Sequence, residues 1–327
     1  LLIQSGRYQQ AAEMAKQAVR LLEYYPNARE LAGSYNILAS FVYPFNKTYA
    51  ECGKLNYQAY ETGLENGEIA QGVISLNNAL LISFSAGLAL PLLQVESQNV
   101  KLISHRKKVF APLGQNVAIL SKALTLAEED SCRSFEQAYA PSLLKKIKGT
   151  LHEYALLHYK ATLSFWNGNY QQSLAFAIEV HRGFKNNIRS IFYIDHLFQY
   201  GFLLLEYNAA ENKATFPADI AQNFEEDCIY CMNELKKLAD HSPDNFEHKY
   251  QLLLAVQQQS QQRPMAEIAM HYKKAIESSK ANGFIQFEAL AKEQFSHYLD
   301  DYGIAAAATA YLDEAMLLYG RWGCQAR

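Results

Sequence analysis

Proline is scarce in this 327-residue chain, at eight residues, and its five cysteines (Cys52, Cys132, Cys228, Cys231, Cys324) are scattered. So few cysteines so far apart exclude a disulfide scaffold and fit a reducing, cytoplasmic compartment. Basic charge is not in excess either. The formal net charge is −3, so there is no cationic surface to release phosphate counterions, and nucleic acid is not an expected partner. The one basic run, His105-Arg106-Lys107-Lys108, reads as a solvated helix end. Long apolar runs are missing as well. A membrane span needs roughly 18 apolar residues, and the best stretch, Val73 to Leu93, is interrupted by Asn77, Asn78, Ser83, Ser85, Gly87 and Pro91. Membrane insertion is therefore not expected. The chain starts at Leu1 without a methionine, which we read as a fragment of a longer protein, so missing targeting signals carry little weight.

Alternating apolar–polar patterns of the strand type are absent, whereas apolar residues recur at helical spacing almost throughout. One stripe is Leu151, Ala155, His158, Tyr159, Thr162 and Phe165; another is Ile268, Tyr272, Ala275 and Ile276. Breaks fall every fifteen to twenty residues or so, at Pro26-Asn27, Asn46, Asn66-Gly67, Gly87, Pro112-Gly114, Asn167-Gly168, Asn186-Asn187, Ser242-Pro243, Arg263-Pro264, Asn282-Gly283 and Gly303. Helices of that length joined by tight turns make antiparallel hairpins. The count is about sixteen helices. Longer loops are expected in 112–141 and near 208–219.

The hairpins carry signs of repetition. A tetratricopeptide (TPR) unit has a period of about 34 residues, with a turn glycine, an aromatic soon after it and small residues where its helices cross. The small residues are required because a large side chain would push the axes beyond about 8–10 Å. Gly6 precedes Tyr8, Ala11 and Ala18; Gly168 precedes Tyr170, Ser173 and Val180; Gly303 precedes Ala308 and Ala315 at the same offsets. Arg263 takes the glycine place ahead of Ile268 and Ala275. Upstream, the first-helix small position is Ala161, Ser296 and, less fittingly, Val256. The expected fold is an all-α, TPR-like α-solenoid, a right-handed superhelix of antiparallel hairpins forming one irregular repeat domain over 1–327.

Chemical motifs are weak. Cys228-Ile229-Tyr230-Cys231 is a CxxC without a second ligand pair at zinc spacing and without a βαβ context, and core packing accounts for it. His152-Glu153 and His158 miss the zincin pattern, because six residues turn a helix by about 600° and point the two rings to different faces. Neither GxxxxGK[ST] nor GxGxxG occurs, nor a GxSxG elbow. Gly63, Gly67 and Gly72 read as turn or helix-crossing glycines. The acidic clusters Glu128-Glu129-Asp130 and Glu225-Glu226-Asp227 are explained by helix ends or solvent. No metal or cofactor is called.

Recognition remains. The first helix of each TPR pair lines the inner, concave surface, where polar side chains hold peptides or carboxylates. On that surface the candidates are Asn77 and Asn78, then His158, Tyr159 and Thr162, then Glu293, Gln294 and His297. The competing reading is helix-end or inter-hairpin hydrogen bonding for the two asparagines and a solvated face for the others. Phe165, Trp166, Phe192 and Tyr193 read as core between helices, and Trp322 as the anchor of the last helix.

The C-terminal third carries a family resemblance. The segments are His241-Ser242-Pro243-Asp244-Asn245-Phe246-Glu247-His248-Lys249, Tyr272-Lys273-Lys274-Ala275-Ile276, the run from Ala281-Asn282-Gly283-Phe284 to Phe287-Glu288-Ala289-Leu290-Ala291, and Tyr319-Gly320-Arg321-Trp322-Gly323. This resembles the TPR-like region of large bacterial signalling ATPases, in which a kinase-like domain and a STAND-class ATPase precede the helical array and a GAF domain and histidine kinase often follow. Asp244, Phe287 and Cys324 depart from that pattern. The resemblance implies a regulatory connector without catalytic groups, binding a protein or peptide, or the adjoining domains, and passing that event to an ATPase or kinase. A free-standing peptide or small-molecule receptor and an α-toroid enzyme are the two rival readings. The enzyme reading requires ionisable residues converging in the interior.

Overall fold

The structure, a computed structural model, describes residues 2–25, 30–110, 112–126, 134–135, 137–184, 190–209 and 218–325. Among these residues there is no β-strand, and there are fifteen α-helices, close to the number expected. They are α1 (Tyr8–Tyr24), α2 (Leu31–Ile37), α3 (Tyr49–Glu65), α4 (Ile69–Ser85), α5 (Leu90–Lys107), α6 (Pro112–Leu126), α7 (Pro141–Ile147) and α8 (Leu151–Trp166), followed by α9 (Tyr170–Phe184), α10 (Ile191–Ala209), α11 (Ala218–His241), α12 (Pro243–Ser260), α13 (Met265–Asn282), α14 (Ile285–Asp301) and α15 (Ala305–Trp322). A π-helical turn, Leu38–Val42, and a 3₁₀ turn, Tyr43–Phe45, extend α2. The breaks expected at Pro26-Asn27 and Asn186-Asn187, most of the loop near 208–219, Cys132 and the acidic run 128–130 lie outside the described residues.

The chain divides into two compact units, Leu1–Ala123 with Ile188–Tyr193, and Leu124–Asn187 with Ile194–Arg327. In each, consecutive helices pack as antiparallel neighbours. In the first unit α2 packs on α3, α3 on α4 and α4 on α5, and α2 also touches α4. In the second, α8 pairs with α9, α11 with α12, α12 with α13, α13 with α14 and α14 with α15, while α12 reaches α14. The first helices of successive hairpins are therefore neighbours, as TPR-like stacking demands.

Turn chemistry ends the helices alike. At the ends of α4, α5, α8, α12, α13, α14 and α15 a backbone N–H reaches back five residues to a carbonyl, as in Asn169 to Ser164, Phe284 to Ser279 and Ile304 to Leu299, at 2.9 Å in all three. This is the closing bond of a Schellman turn, and the residue before the donor sits in the left-handed region. Gly168 and Gly303 hold that place at φ 74° and 75°. After α12 the left-handed residue is Gln262, at φ 53°, and not Arg263. Arg263 keeps its offset from α13 but is the donor in that turn, bonding Gln258.

Small residues mark the crossings. Ser173 Oγ of α9 donates to the Ala161 carbonyl of α8 at 2.8 Å, and Ser296 Oγ of α14 donates to the Ala308 carbonyl of α15 at 2.7 Å. A hydroxyl reaches a backbone oxygen on the partner helix only when the two axes are close. The closest approach lies between α3 and α4. A Cβ built on Gly63 would stand 2.9 Å from the Gly72 Cα and 3.0 Å from the Glu68 carbonyl oxygen. Those atoms are backbone, so the helices would have to part. Gly53, on the same helix, has nothing within 4 Å of its Cβ position.

Gly63→Ala is expected to lower stability by about 1–3 kcal/mol through overpacking, while Gly53→Ala raises it by about 0.5–1 kcal/mol through helix propensity. Urea midpoints at unchanged m-value report both, and equal shifts in the two variants would contradict the close crossing.

Candidate functional site

A buried polar network runs between the helices of each unit. In the first unit it is built of neutral amides and hydroxyls. Asn36, Ser40, Asn56, Ser75, Asn77 and Asn78 are all buried. Asn78 Nδ2 of α4 donates to Asn36 Oδ1 of α2 at 2.9 Å, and Ser75 Oγ of α4 donates to Asn56 Oδ1 of α3 at 2.7 Å. Ser40 Oγ lies within reach of both Asn36 Oδ1 and Asn56 Oδ1, at 3.2 and 3.4 Å. Asn77 Nδ2 donates to its own helix at Val73 and to Ser104 Oγ of α5, while its Oδ1 accepts the Gly114 N–H of α6 at 3.1 Å. Asn77 and Asn78 thus join hairpins, the alternative their sequence context left open. Glu68, just before α4, accepts the Ala32 and Gly33 N–H groups at the start of α2 at 3.1 and 3.3 Å, where α2 has no side-chain cap of its own.

The second unit buries charge. Lys249 of α12 is 0 % exposed and its Nζ lies 3.4 Å from Asp195 Oδ1 of α10. The ammonium also stands over the Phe287 ring, 4.4 Å from its centroid. Burial pulls the Lys249 ammonium below its ordinary range, and the Asp195 carboxylate works against that pull. An ion pair in such a place stabilises only because removing either partner strands the other charge. Its neighbour His248 is stacked on Phe284 at 4.2 Å, and burial, then Lys249, holds its imidazole neutral.

Phe287 of α14 is the meeting point of the interior. Its ring packs on Trp166 of α8, Phe198 of α10 and His248 of α12, at 5.8, 5.2 and 4.8 Å between centroids. Trp322 at the end of α15 packs on Trp166 at 5.1 Å. These four first helices therefore converge through aromatic faces and edges.

From there a row of imidazoles runs between the hairpins. His158 of α8 meets His196 of α10 edge-on, with centroids 6.5 Å apart. His196 Nε2 lies 3.4 Å from His181 Nδ1 of α9, and His181 Nε2 lies 3.4 Å from Asp227 Oδ1 of α11. Tyr200 of α10 donates its hydroxyl to Asp227 Oδ2 at 2.8 Å. Burial lowers His158 to about 4, with Asp195 opposing, and pushes His196 well below the imidazole range, helped by the two flanking histidines.

The sequence candidates are distributed unevenly over this arrangement. His158 and Tyr159 lie in the interior, and Thr162 exchanges hydrogen bonds with Gln199 of α10 at 3.1–3.2 Å. Glu293 is half-buried and accepts the Tyr319 hydroxyl at 2.7 Å; Gln294 is buried; His297 is exposed. The solvated face offered as the alternative reading holds for His297 only. Asp227 corrects the reading of the 225–227 cluster: it is buried and bonded, while Glu225 and Glu226 are exposed. Cys228 and Cys231 are buried free thiols, Cys228 pushed up to about 12 by burial, so both are protonated core residues. No group of three or more His, Cys, Asp and Glu that would hold a metal occurs among the described residues. No described helix is long and apolar enough to cross a membrane.

Lys249, Asp195, His181 and His196 were not candidates from sequence. The signal for Lys249 was present: it lies three and four residues from Asn245, Phe246, Leu252 and Leu253, which mark the buried face of α12. No protein-family model, curated protein or solved structure matches this chain.

Lys249→Met and Asp195→Asn are each expected to cost about 3–5 kcal/mol by stranding the other partner. The double variant should lose less than the sum by about 1–3 kcal/mol. A double-mutant cycle in urea measures this, and strict additivity would show that the pair contributes nothing.

Proposed function

We propose that this chain is a non-catalytic interaction and sensor module, which binds a protein or peptide and passes that event to an adjoining ATPase or kinase in bacterial signalling. One contrast carries the reading. Among the described side chains of α4, α8, α10, α12 and α14 no large apolar one is exposed (α2 carries one, Ile37, at its last residue), and their polar groups are largely engaged with one another. The second helices carry Tyr57 and Leu64 (α3), Leu92, Val95 and Leu102 (α5), Ile229 and Tyr230 (α11), Met270 (α13), and Leu312, Met316 and Leu317 (α15), all exposed. Side chains of this kind, set on rigid helices, suit contact with another protein. The resemblance of the C-terminal third to the helical region of signalling ATPases supports coupling to an adjoining ATPase or kinase. Each hairpin touches mainly its neighbours, so a partner bridging several of them biases their packing and transmits that bias along the chain.

A second reading, an enzyme, draws on the convergence of His158, His181, His196, Asp195, Asp227 and Lys249, the sort of cluster that marks many active sites. Against it, these groups contact each other within the helix packing, and the shifts of His158, His196 and Lys249 come first from burial. The buried thiols are held protonated and are poor nucleophiles.

The coupling role predicts that ATP hydrolysis or autophosphorylation by the whole gene product changes when residues 1–327 are deleted. Leu92→Ser with Val95→Ser should alter that response while shifting stability by only about 0.5 kcal/mol, as surface changes do. Unchanged rates in the deletion, or a gene product with no nucleotide-binding or kinase motif outside this region, would refute it.

A further inference from the structure

We propose that the imidazole row His158–His196–His181 is an acid-sensitive latch, which holds α8 and α9 to α10 and α11 while His158 and His196 are uncharged and releases them together when those two rings are protonated.

The hydrogen-bond inventory of the row leads there. His181 Nε2 faces the Asp227 carboxylate, so it carries the proton and Nδ1 is left as an acceptor. That acceptor, 3.4 Å away, takes the His196 Nε2 hydrogen. The tautomers of two rings on different helices are thus tied to each other and to α11. Tyr200 covers both rings, stacked at 4.4 Å on His181 and 5.5 Å on His196. His158, His196, His181 and Asp227 are all under a tenth exposed.

The charged and titratable groups around the row determine what a proton does there. On α8 it is Tyr159; on α10, Asp195 and Tyr200; on α11, Asp227, Cys228, Cys231 and Tyr230; on α12, through Asp195, it is Lys249. On the outer face of α9, Glu179 is paired with Arg182. A proton on His196 or His158 is a cation buried inside the row, and the carboxylate that acts on His158, Asp195, is shared with Lys249. Charge on both rings is repelled in a medium that screens poorly. The hairpins separate and water takes over as the screen.

The direction with pH follows from the two neutral rings. Buried, His158 takes its proton only near 4, and burial holds His196 well below the ordinary imidazole range. Exposed, each returns to an ordinary imidazole near 6.5. The opened form therefore binds more protons below about pH 6.5. Its population should grow by about tenfold per pH unit for each ring, about a hundredfold for both, until the pH nears the buried value. Closure is complete above about pH 6.5 and is lost as the pH falls.

The test is amide hydrogen exchange across α8–α10, corrected for intrinsic rates, combined with imidazole ¹⁵N NMR on the same protein from pH 7.5 to 4.5. The expected result is that His158 and His196 stay neutral below pH 6 and then convert together, as protection in α8–α10 falls by about a hundredfold per pH unit. His196→Gln should cut that slope to about tenfold. If this variant does not fold, the wild-type titration decides alone. Independent titration of the rings above pH 6, or protection in α8–α10 that does not follow their charge, would overturn the latch.

Discussion

Close crossing of paired helices is the constraint from which the rest of the structure follows. Ala161 against Ser173 and Ser296 against Ala308 let backbones approach until a hydroxyl reaches a carbonyl on the partner helix, and Gly63 against Gly72 brings the backbones of α3 and α4 as close. At that spacing each second helix covers one side of its first helix, and the neighbouring first helices cover the others. A first helix so enclosed has almost no solvent-facing stripe. That is why α4, α10 and α14 are buried around nearly their whole circumference.

Enclosure imposes a second demand. Any polar group on a first helix must find its partner inside the protein, at a cost of about 1–3 kcal/mol if it fails. The two units answer differently. The first links α2, α3 and α4 through amides and hydroxyls that need no counterion. The second mixes an ion pair, a carboxylate–tyrosine bond and a row of imidazoles with the aromatic contacts centred on Phe287. The neutral network is indifferent to pH over the physiological range. The charged one is not, because the protonation of each imidazole alters what its neighbour can donate or accept.

Much of the fold was legible from the residues. The 3.6-residue stripes, the turn glycines and the small crossing residues identify paired helices, and Gly168, Gly303, Ser173 and Ala308 stand where that reading puts them. Arg263 shows its limit: the left-handed position falls on Gln262, because any residue with a modest penalty can occupy it when the surrounding turn is well bonded. The site was less legible. TPR geometry assigns first-helix polar residues to an inner surface, so His158, Tyr159 and Thr162 were named. The sequence does not say whether that surface stands open or is filled by the facing helices. Phe287 decides it, by touching α8, α10 and α12 at once. Contacts of that kind join residues 40–120 positions apart, and no local periodicity encodes them. The pairing of Asp195 with Lys249 was missed for the same reason, since the partners lie on different helices, although the buried place of Lys249 on α12 was legible.

The central claim, that first helices form the enclosed interior and second helices the outer layer, is tested most directly by native-state hydrogen exchange resolved to individual helices at neutral pH. The account predicts that mid-helix amides of α4, α10, α12 and α14 exchange only through the largest opening of their unit, and that those of α5, α11, α13 and α15 exchange faster through smaller openings. Equal protection in the two sets, or faster exchange in the first helices, would contradict it.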